Sequence, residues 1–467
     1  MNENQSTSLG TAPLGRLLFR LALPAVTAQF INMLYNMVDR IYIGHMPVEG
    51  TMALTGLGIC MPIIIVVSAF AALVSMGGAP RASIFMGRGQ PQQAEQILGG
   101  CFVLQLGISA ALTVLLELFQ RPLLLAFGGS ANTIGYAVDY LSIYALGTVF
   151  VQVTLGMNAF ITAQGFAKTG MVTVLIGAVC NIVLDPILIF GCHMGVRGAA
   201  LATILSQAVS AVWATAFLCG KKTVLRLRRE NLRLSPKVVL PCLALGAAPF
   251  VMQASESVIS VCFNASLLKY GSDIAVGAMT ILTSVMQFAM LPIQGIAQGA
   301  QPITSYNFGA GNRSRVRQSF WLLLRCTCVY SAALWAAVML FPRAFASIFS
   351  PNAALVEFTA GALRIYGAML GLMGVQVACQ MTFISLGNAR ASILVAVMRK
   401  FVLLIPLIYL LPAVLPGSKV SAVYLAEPVA DALAVTFTAV LFAFQFRRAL
   451  RGMGPEPPCP GPAGKTA

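Results

Sequence analysis

Two carboxylates fall inside long apolar runs. Asp39 lies toward the end of the run Arg16 to Gly44, and Asp185 closes the run Met171 to Pro186. An ionised aspartate near the bilayer interior costs roughly 3 kcal/mol on insertion scales, so each must face protein, water or a bound cation. Neither stands alone. Gln29, Asn32 and Asn36 share a helical face with Asp39 at spacings of three and four, and Asn181 sits one turn before Asp185. Asn158 with Thr162, and Thr203 with Gln207, repeat the four-residue spacing in neighbouring runs. Among such groups a carboxyl changes charge at tolerable cost. A site that alternates between dry and cation-paired surroundings takes up and releases a proton or Na⁺. For the amides and hydroxyls taken singly, polar contact between helices is the simpler reading. A buried acid asks for more, because amides make such contacts without a charge. For Asp39 alone, neutralisation by the adjacent Arg40 at the headgroup level is an equal alternative.

The second half carries a different polar set. Gln253, Glu256, Ser260 and Asn264 recur at helical spacing, followed by a stripe of Thr280, Thr283, Gln287, Gln294, Gln298 and Gln301, then Gln376 and Gln380. A wall of amides and aromatics suits large, flat, weakly hydrated ligands. The candidate ligand contacts are therefore Tyr35, Asn36, Glu256, Gln287 and Gln376. Met290, Met369 and Met373 read as packing residues. Glu427 and Asp431 lie four apart beside Pro428, and for Glu427 a position near the outer interface is the simpler reading. Eleven cysteines show no C-x-x-C pair, and His45 and His193 fall in loops. No metal site, disulfide framework, cofactor or catalytic constellation is expected, and hence no enzyme.

These residues need elements to hold them, and the composition says which. A chain of 467 residues with 58% hydrophobic and 9% charged residues is an integral membrane protein, since soluble chains carry nearer a quarter charged. The net charge of +16 does not indicate nucleic acid, because the basic residues fall in short clusters between apolar runs. Apolar runs separated by turn and charge signals predict twelve membrane helices in an all-α fold. With both termini on one side, 20 of the 30 Lys and Arg residues fall on that side, against seven on the other and three within spans. The positive-inside rule makes it the cytoplasmic side.

The basic stretch 221–237 divides the chain. The expected organisation is a cytoplasmic tail over 1–15, a first lobe over 16–220, a basic linker over 221–237, a second lobe over 238–447 and a disordered tail over 448–467. The lobes read as repeats. Pro80 and Pro302, Gly87 and Gly309, Gly89 and Gly311, Tyr144 and Tyr366, and Gly165 and Gly387 are all 222 residues apart. A spacing of 225 relates Pro24 to Pro249 and Asp39 to Asn264. Six spans per repeat is an even number, so the expected symmetry is a pseudo-two-fold along the membrane normal, with a substrate site between the lobes near mid-membrane.

With LALP before the Asp39 of span 1, G-x-G after span 2 in both halves, NIVLDP in span 5 and GAALAT opening span 6, the chain resembles the multidrug and toxic compound extrusion (MATE) family from about Leu14 to Arg447. That resemblance implies a secondary antiporter of the cytoplasmic membrane, bacterial in type, that exports organic cations in exchange for H⁺ or Na⁺. It implies a cation-responsive cluster at Asp39, Asn158, Asn181, Asp185 and Thr203, with Pro24 as the hinge of span 1. Glu256 resembles the span 7 acid of one branch of the family, whose span 10 acid is replaced here by Gln376 and Gln380. A two-lobed chain is functionally complete as a monomer in the bilayer. The alternative is a flippase for lipid-linked saccharides, whose phosphates would favour bases such as Arg399 and Lys400.

Overall fold

The computed structural model describes residues 8–46, 50–271, 273–349 and 351–453. Helices account for the architecture, as an apolar environment demands: with no water to satisfy backbone groups, each span must close its own hydrogen bonds. In chain order the first lobe contains α1 (Leu14–Gly44), α2 (Gly50–Gly87), α3 (Pro91–Ala126), α4 (Ile134–Leu146), α5 (Thr148–Ala163), α6 (Ala167–Pro186) and α7 (Val196–Cys219). The second contains α8 (Pro236–Tyr270), α9 (Asp273–Gly309), α10 (Arg313–Leu340), the short α11 (Pro342–Ser347), α12 (Ala353–Tyr366), α13 (Met373–Ser385), α14 (Ala389–Val397), α15 (Ile405–Val414) and α16 (Lys419–Gly452). Among the described residues ten helices, α14 with α15 counting as one, are long and apolar enough to cross a membrane. Two bent pairs, α4–α5 at 56° and α12–α13 at 45°, bring the spans to the expected twelve.

The bends fall at equivalent places in the two halves. So do the connections: Gly89 and Gly311 adopt φ of 70° and 77°, and Gly165 and Gly387 φ of 90° and 73°, left-handed values that favour glycine. Two spans depart from α geometry. A π-helical turn, Ile187–Gly191, follows Pro186, and a longer one, Met398–Leu404, joins α14 to α15. Proline removes a backbone donor, and a wider turn re-routes the freed carbonyls.

Four apolar cores show how the lobes meet. At the end far from the termini, one core is built only from α1 to α7 and the turn after α6, and another only from helices of the second lobe; Met290 and Met373 pack in or against the latter. At the end bearing the termini, the cores mix lobes. Leu17, Leu18 and Leu21 of α1 join Ala297, Phe320 and Phe383, while Cys242 of α8 joins Val74, Cys101 and Phe160 of the first lobe. The lobes are thus sealed together at this inner end and separate toward the other. Gly77 and Gly246 seat α2 directly against α8, and Gly295 and Gly299 seat α9 against Val26 and Ala22 of α1. Small residues that let backbones approach are the usual basis of such contacts in a bilayer.

The hydrophilic segments are strapped to this inner end. Gln164 accepts hydrogen bonds at Oε1 from Thr223 Oγ1, Val224 N and Leu225 N at 2.7–2.9 Å, and Glu95 Oε1 accepts from Arg226 N at 3.1 Å. Near the N-terminus Leu9 is fully buried, and its carbonyl accepts from Asn307 Nδ2 at 2.9 Å. The last helix runs to Gly452, five residues into the stretch expected to be a disordered tail from 448. Continuing amphipathic packing explains the difference, since Phe446 and Leu450 are buried against Phe320 and its neighbours. Residues 1–7 and 454–467 of the expected tails, Lys465 included, lie outside the described residues.

Candidate functional site

A cavity of about 480 Å³ opens between the lobes, within the size range of drug-sized ligand sites. One wall is the polar face of α1: Gln29, Asn32, Tyr35, Asn36 and Asp39. The other first-lobe walls present Tyr140, Tyr144, Asn158, Thr162, Thr203 and Gln207, and the second lobe contributes Gln253, Gln298 and Gln301. Gln29 Nε2 donates across the lobes to Gln298 Oε1 at 3.2 Å.

Packing of α1 on α6 brings the two aspartates together. Asp39 is 7% exposed and Asp185 0%, and each lies within electrostatic reach of the other. Asn181 Nδ2 donates to Asp185 Oδ1 at 3.2 Å, as their four-residue spacing requires. Arg40 is exposed and lines the same cavity, and among the described residues no salt bridge joins it to Asp39, although its charge acts on that carboxylate from a distance. Tyr35 and Tyr140 also stand near Asp39, and Thr203 lies against the Tyr140 hydroxyl. Five buried oxygens here on the first-lobe helices have no hydrogen-bond partner in the protein, Asp39 Oδ1, Asn158 Oδ1, Asn181 Oδ1, Asp185 Oδ2 and Gln207 Oε1, as does one donor on the second-lobe wall, Gln301 Nε2. Buried polar atoms are ordinarily paired. Acceptors predominate, and the two carboxylates among them suit a proton or a cation.

Helix α1 runs unbroken through Pro24, with Ala22 and Val26, on either side of it, against Gly299 and Gly295 of α9. The candidate ligand contacts divide. Tyr35 and Asn36 line the cavity. Gln376 is buried on α13 at 3% exposure, Gln287 is exposed on α9, and neither is among the lining residues. Glu256 is held by Lys400, with Nζ 2.6 Å from Oε1.

That ion pair belongs to a network the sequence reading left unassembled. Arg399 Nε donates to Asp431 Oδ1 at 2.8 Å, and its Nη2 lies 3.4 Å from Glu427 Oε1. The signal was present: two bases inside one apolar run and three acids in two others nearly balance. Glu427 and Asp431 are consequently buried partners of Arg399. Removing one partner of a buried pair strands the other, at about 3–5 kcal/mol. Arg399→Met is therefore expected to lower the thermal melting midpoint of the purified protein clearly, measured by intrinsic fluorescence in detergent. A midpoint equal to wild type would show that the network adds nothing to stability.

The comparisons with known proteins agree with this architecture. The MatE family matches the chain over residues 24–187 and again over 249–410. The multidrug export protein MepA of Staphylococcus haemolyticus is 23% identical over 411 residues, covering 88% of this chain and 90% of its own. An FAD transporter of Shewanella oneidensis is 22% identical over 401 residues, covering 85% of this chain and 88% of its own. A multidrug resistance transporter of the MATE family, solved in an outward-facing conformation, has the same fold, with a TM-score of 0.88 at 20% identity over 95% of this chain and 98% of that one. With two matched segments spanning well over half of its length, this multi-pass membrane protein belongs to the MATE family of transporters.

Proposed function

We propose that the protein is an antiporter that exports organic cations across a cytoplasmic membrane in exchange for H⁺ or Na⁺, working as a monomer with both termini in the cytoplasm. The observation that carries this reading is the buried pair Asp39 and Asp185 on packed helices α1 and α6, each with a carboxylate oxygen that has no hydrogen-bond partner in the protein, Asp39 at the wall of the inter-lobe cavity and Asp185 outside its lining. Protonation turns a carboxylate acceptor into a donor, and Na⁺ satisfies several oxygens at once. Either event also changes the charge that α1 presents to the cavity. Asp39 and Asp185 form the coupling unit, supported by Asn158, Asn181 and Thr203. Tyr35 and Asn36 meet the substrate, and the segment of α1 around Pro24 transmits the change where it touches α9. The inner seal between two repeated lobes, with a cavity above it, is the arrangement alternating access requires.

Anionic cargo fits less well. The bases that favour a saccharide-lipid flippase, Arg399 and Lys400, are both consumed by carboxylates. The same pairing argues against a dinucleotide like that named for the Shewanella relative.

Exchange of one proton for one monovalent cation moves no net charge. Two coupled ions per substrate would draw on the membrane potential, which supplies about 2.3 kcal/mol per charge at 100 mV, enough for roughly a 50-fold gradient. The test is ethidium movement in proteoliposomes under pH, Na⁺ and potential gradients imposed separately. Transport that follows a pH or Na⁺ gradient and is further accelerated by potential is expected. Absence of transport under all three would end this reading and turn attention to labelled lipid-linked sugars.

A further inference from the structure

The coupling scheme leaves unused the charged network joining α8, the π-helical turn Met398–Leu404 and α16. Its members differ in access. The side chains of Arg399, Lys400, Glu427 and Asp431 are 10%, 5%, 12% and 9% exposed, whereas that of Glu256 is 55% exposed. Glu256 lies one turn beyond Gln253 on α8, on the face with which Gln253 lines the central cavity. Glu256 is exposed but is not itself among the lining residues, so its open side lies beyond the cavity's present lining on that face. Arg399 engages Glu427 and Asp431, which leaves Lys400 as the cation matched to Glu256. Three acids against two bases leave one net negative charge, and Glu256 is the exposed acid on which a ligand can draw.

We infer that Lys400 is a tethered counter-cation that fills the cation subsite at Glu256, so that an organic monocation engages this carboxylate only by displacing the lysine. Lys400 then sets the affinity and selectivity of the second lobe. The geometry is that of a competitor: a buried ammonium on a flexible stem, anchored behind a carboxylate whose other face is open. A strongly hydrated point charge on four methylenes is suited to swing away and return. This inference rests on the cation-export reading above.

The variants follow from the contacts. Lys400→Met keeps the apolar stem and roughly the volume while removing the charge. The carboxylate that loses its salt bridge is the exposed Glu256, while Arg399 keeps its hydrogen bonds to Glu427 and Asp431. Lys400→Arg retains the charge. Binding of tetraphenylphosphonium to the full-length purified protein, measured by equilibrium dialysis at fixed ionic strength, is expected to be at least tenfold tighter in Lys400→Met than in wild type. Lys400→Arg should stay within about threefold of wild type, and Lys400→Met with Glu256→Gln should lose the gain. Melting midpoints show that each variant is folded. If wild type binds and Lys400→Met binds no tighter, the inference fails while cation binding stands. A gain that survives Glu256→Gln also overturns it. No binding by wild type or any variant overturns both the inference and the reading beneath it.

Discussion

Asp39→Asn should abolish gradient-driven export while leaving the protein folded and able to bind substrate. The substitution preserves shape and removes the ability to alternate between charged and neutral forms. Asp39 Oδ1 makes no hydrogen bond in the protein, so the change sacrifices no contact there, and a neutral amide is easier to bury than a carboxylate. The melting midpoint is accordingly expected to be no lower than wild type. Proton influx on addition of ethidium to proteoliposomes, read by a trapped pH indicator, should fall to the level of protein-free vesicles. Asp185→Asn should behave alike, because its Oδ1 can still accept from Asn181 Nδ2. A double substitution no worse than either single one is then expected, since the two carboxylates act as one unit. Additive losses would show two independent ion sites. If Asp39→Asn were as active as wild type, coupling would have to reside elsewhere, and the second-lobe acids would be the remaining candidates.

The coupling site was legible because membranes make carboxylates conspicuous. Asp39, Asn181 and Asp185 declared themselves by residue type and helical spacing alone; Asp39, Asn158 and Thr203 line the cavity, while Asn181 and Asp185 are buried outside its lining. The twelve spans were legible for the same reason, as hydropathy fixes each within a few residues. What resisted was the matching of groups far apart in sequence. Glu256 and Lys400 are 144 residues apart, and their meeting depends on how α8 and the middle of span 11 are rotated about their axes. A π-helical turn carries Arg399 and Lys400, and a reading at 3.6 residues per turn misplaces the faces that follow such a turn. Glu256 therefore looked like a free acid. The linker shows the same limit: its seven bases mark a hydrophilic connection, but spacing does not reveal that the Thr223 hydroxyl and the backbone N–H groups of Val224 and Leu225 donate to Gln164, about 60 residues earlier.

The seal at the inner end leads to the other large effect. A Cβ on Gly246 would fall on the carbonyl of Leu73, and one on Gly77 on the carbonyl of Cys242, both closer than any real contact. The obstacles are backbone atoms, which cannot rotate aside, so α2 and α8 must separate. Gly246→Ala is thus expected to prevent the inner end from closing and to favour a state open toward the linker and termini. Transport should fall at least tenfold, because alternation needs both states. The chain supplies its own reporter. Cys242 is fully buried in the seal, so maleimide labelling at Cys242, followed by mass spectrometry of its peptide, should be slow in wild type and fast in Gly246→Ala. Gly58→Ala, also in α2 but with open space where its Cβ would go, is the control and should change neither labelling nor transport. Gly295→Ala and Gly299→Ala at the α9–α1 contact should act in the same direction, since there too backbone atoms of Val26 and Ala22 stand in the way. Rapid export with Cys242 still protected in Gly246→Ala would mean that the helices yield without parting, and that this seal is not the inner gate.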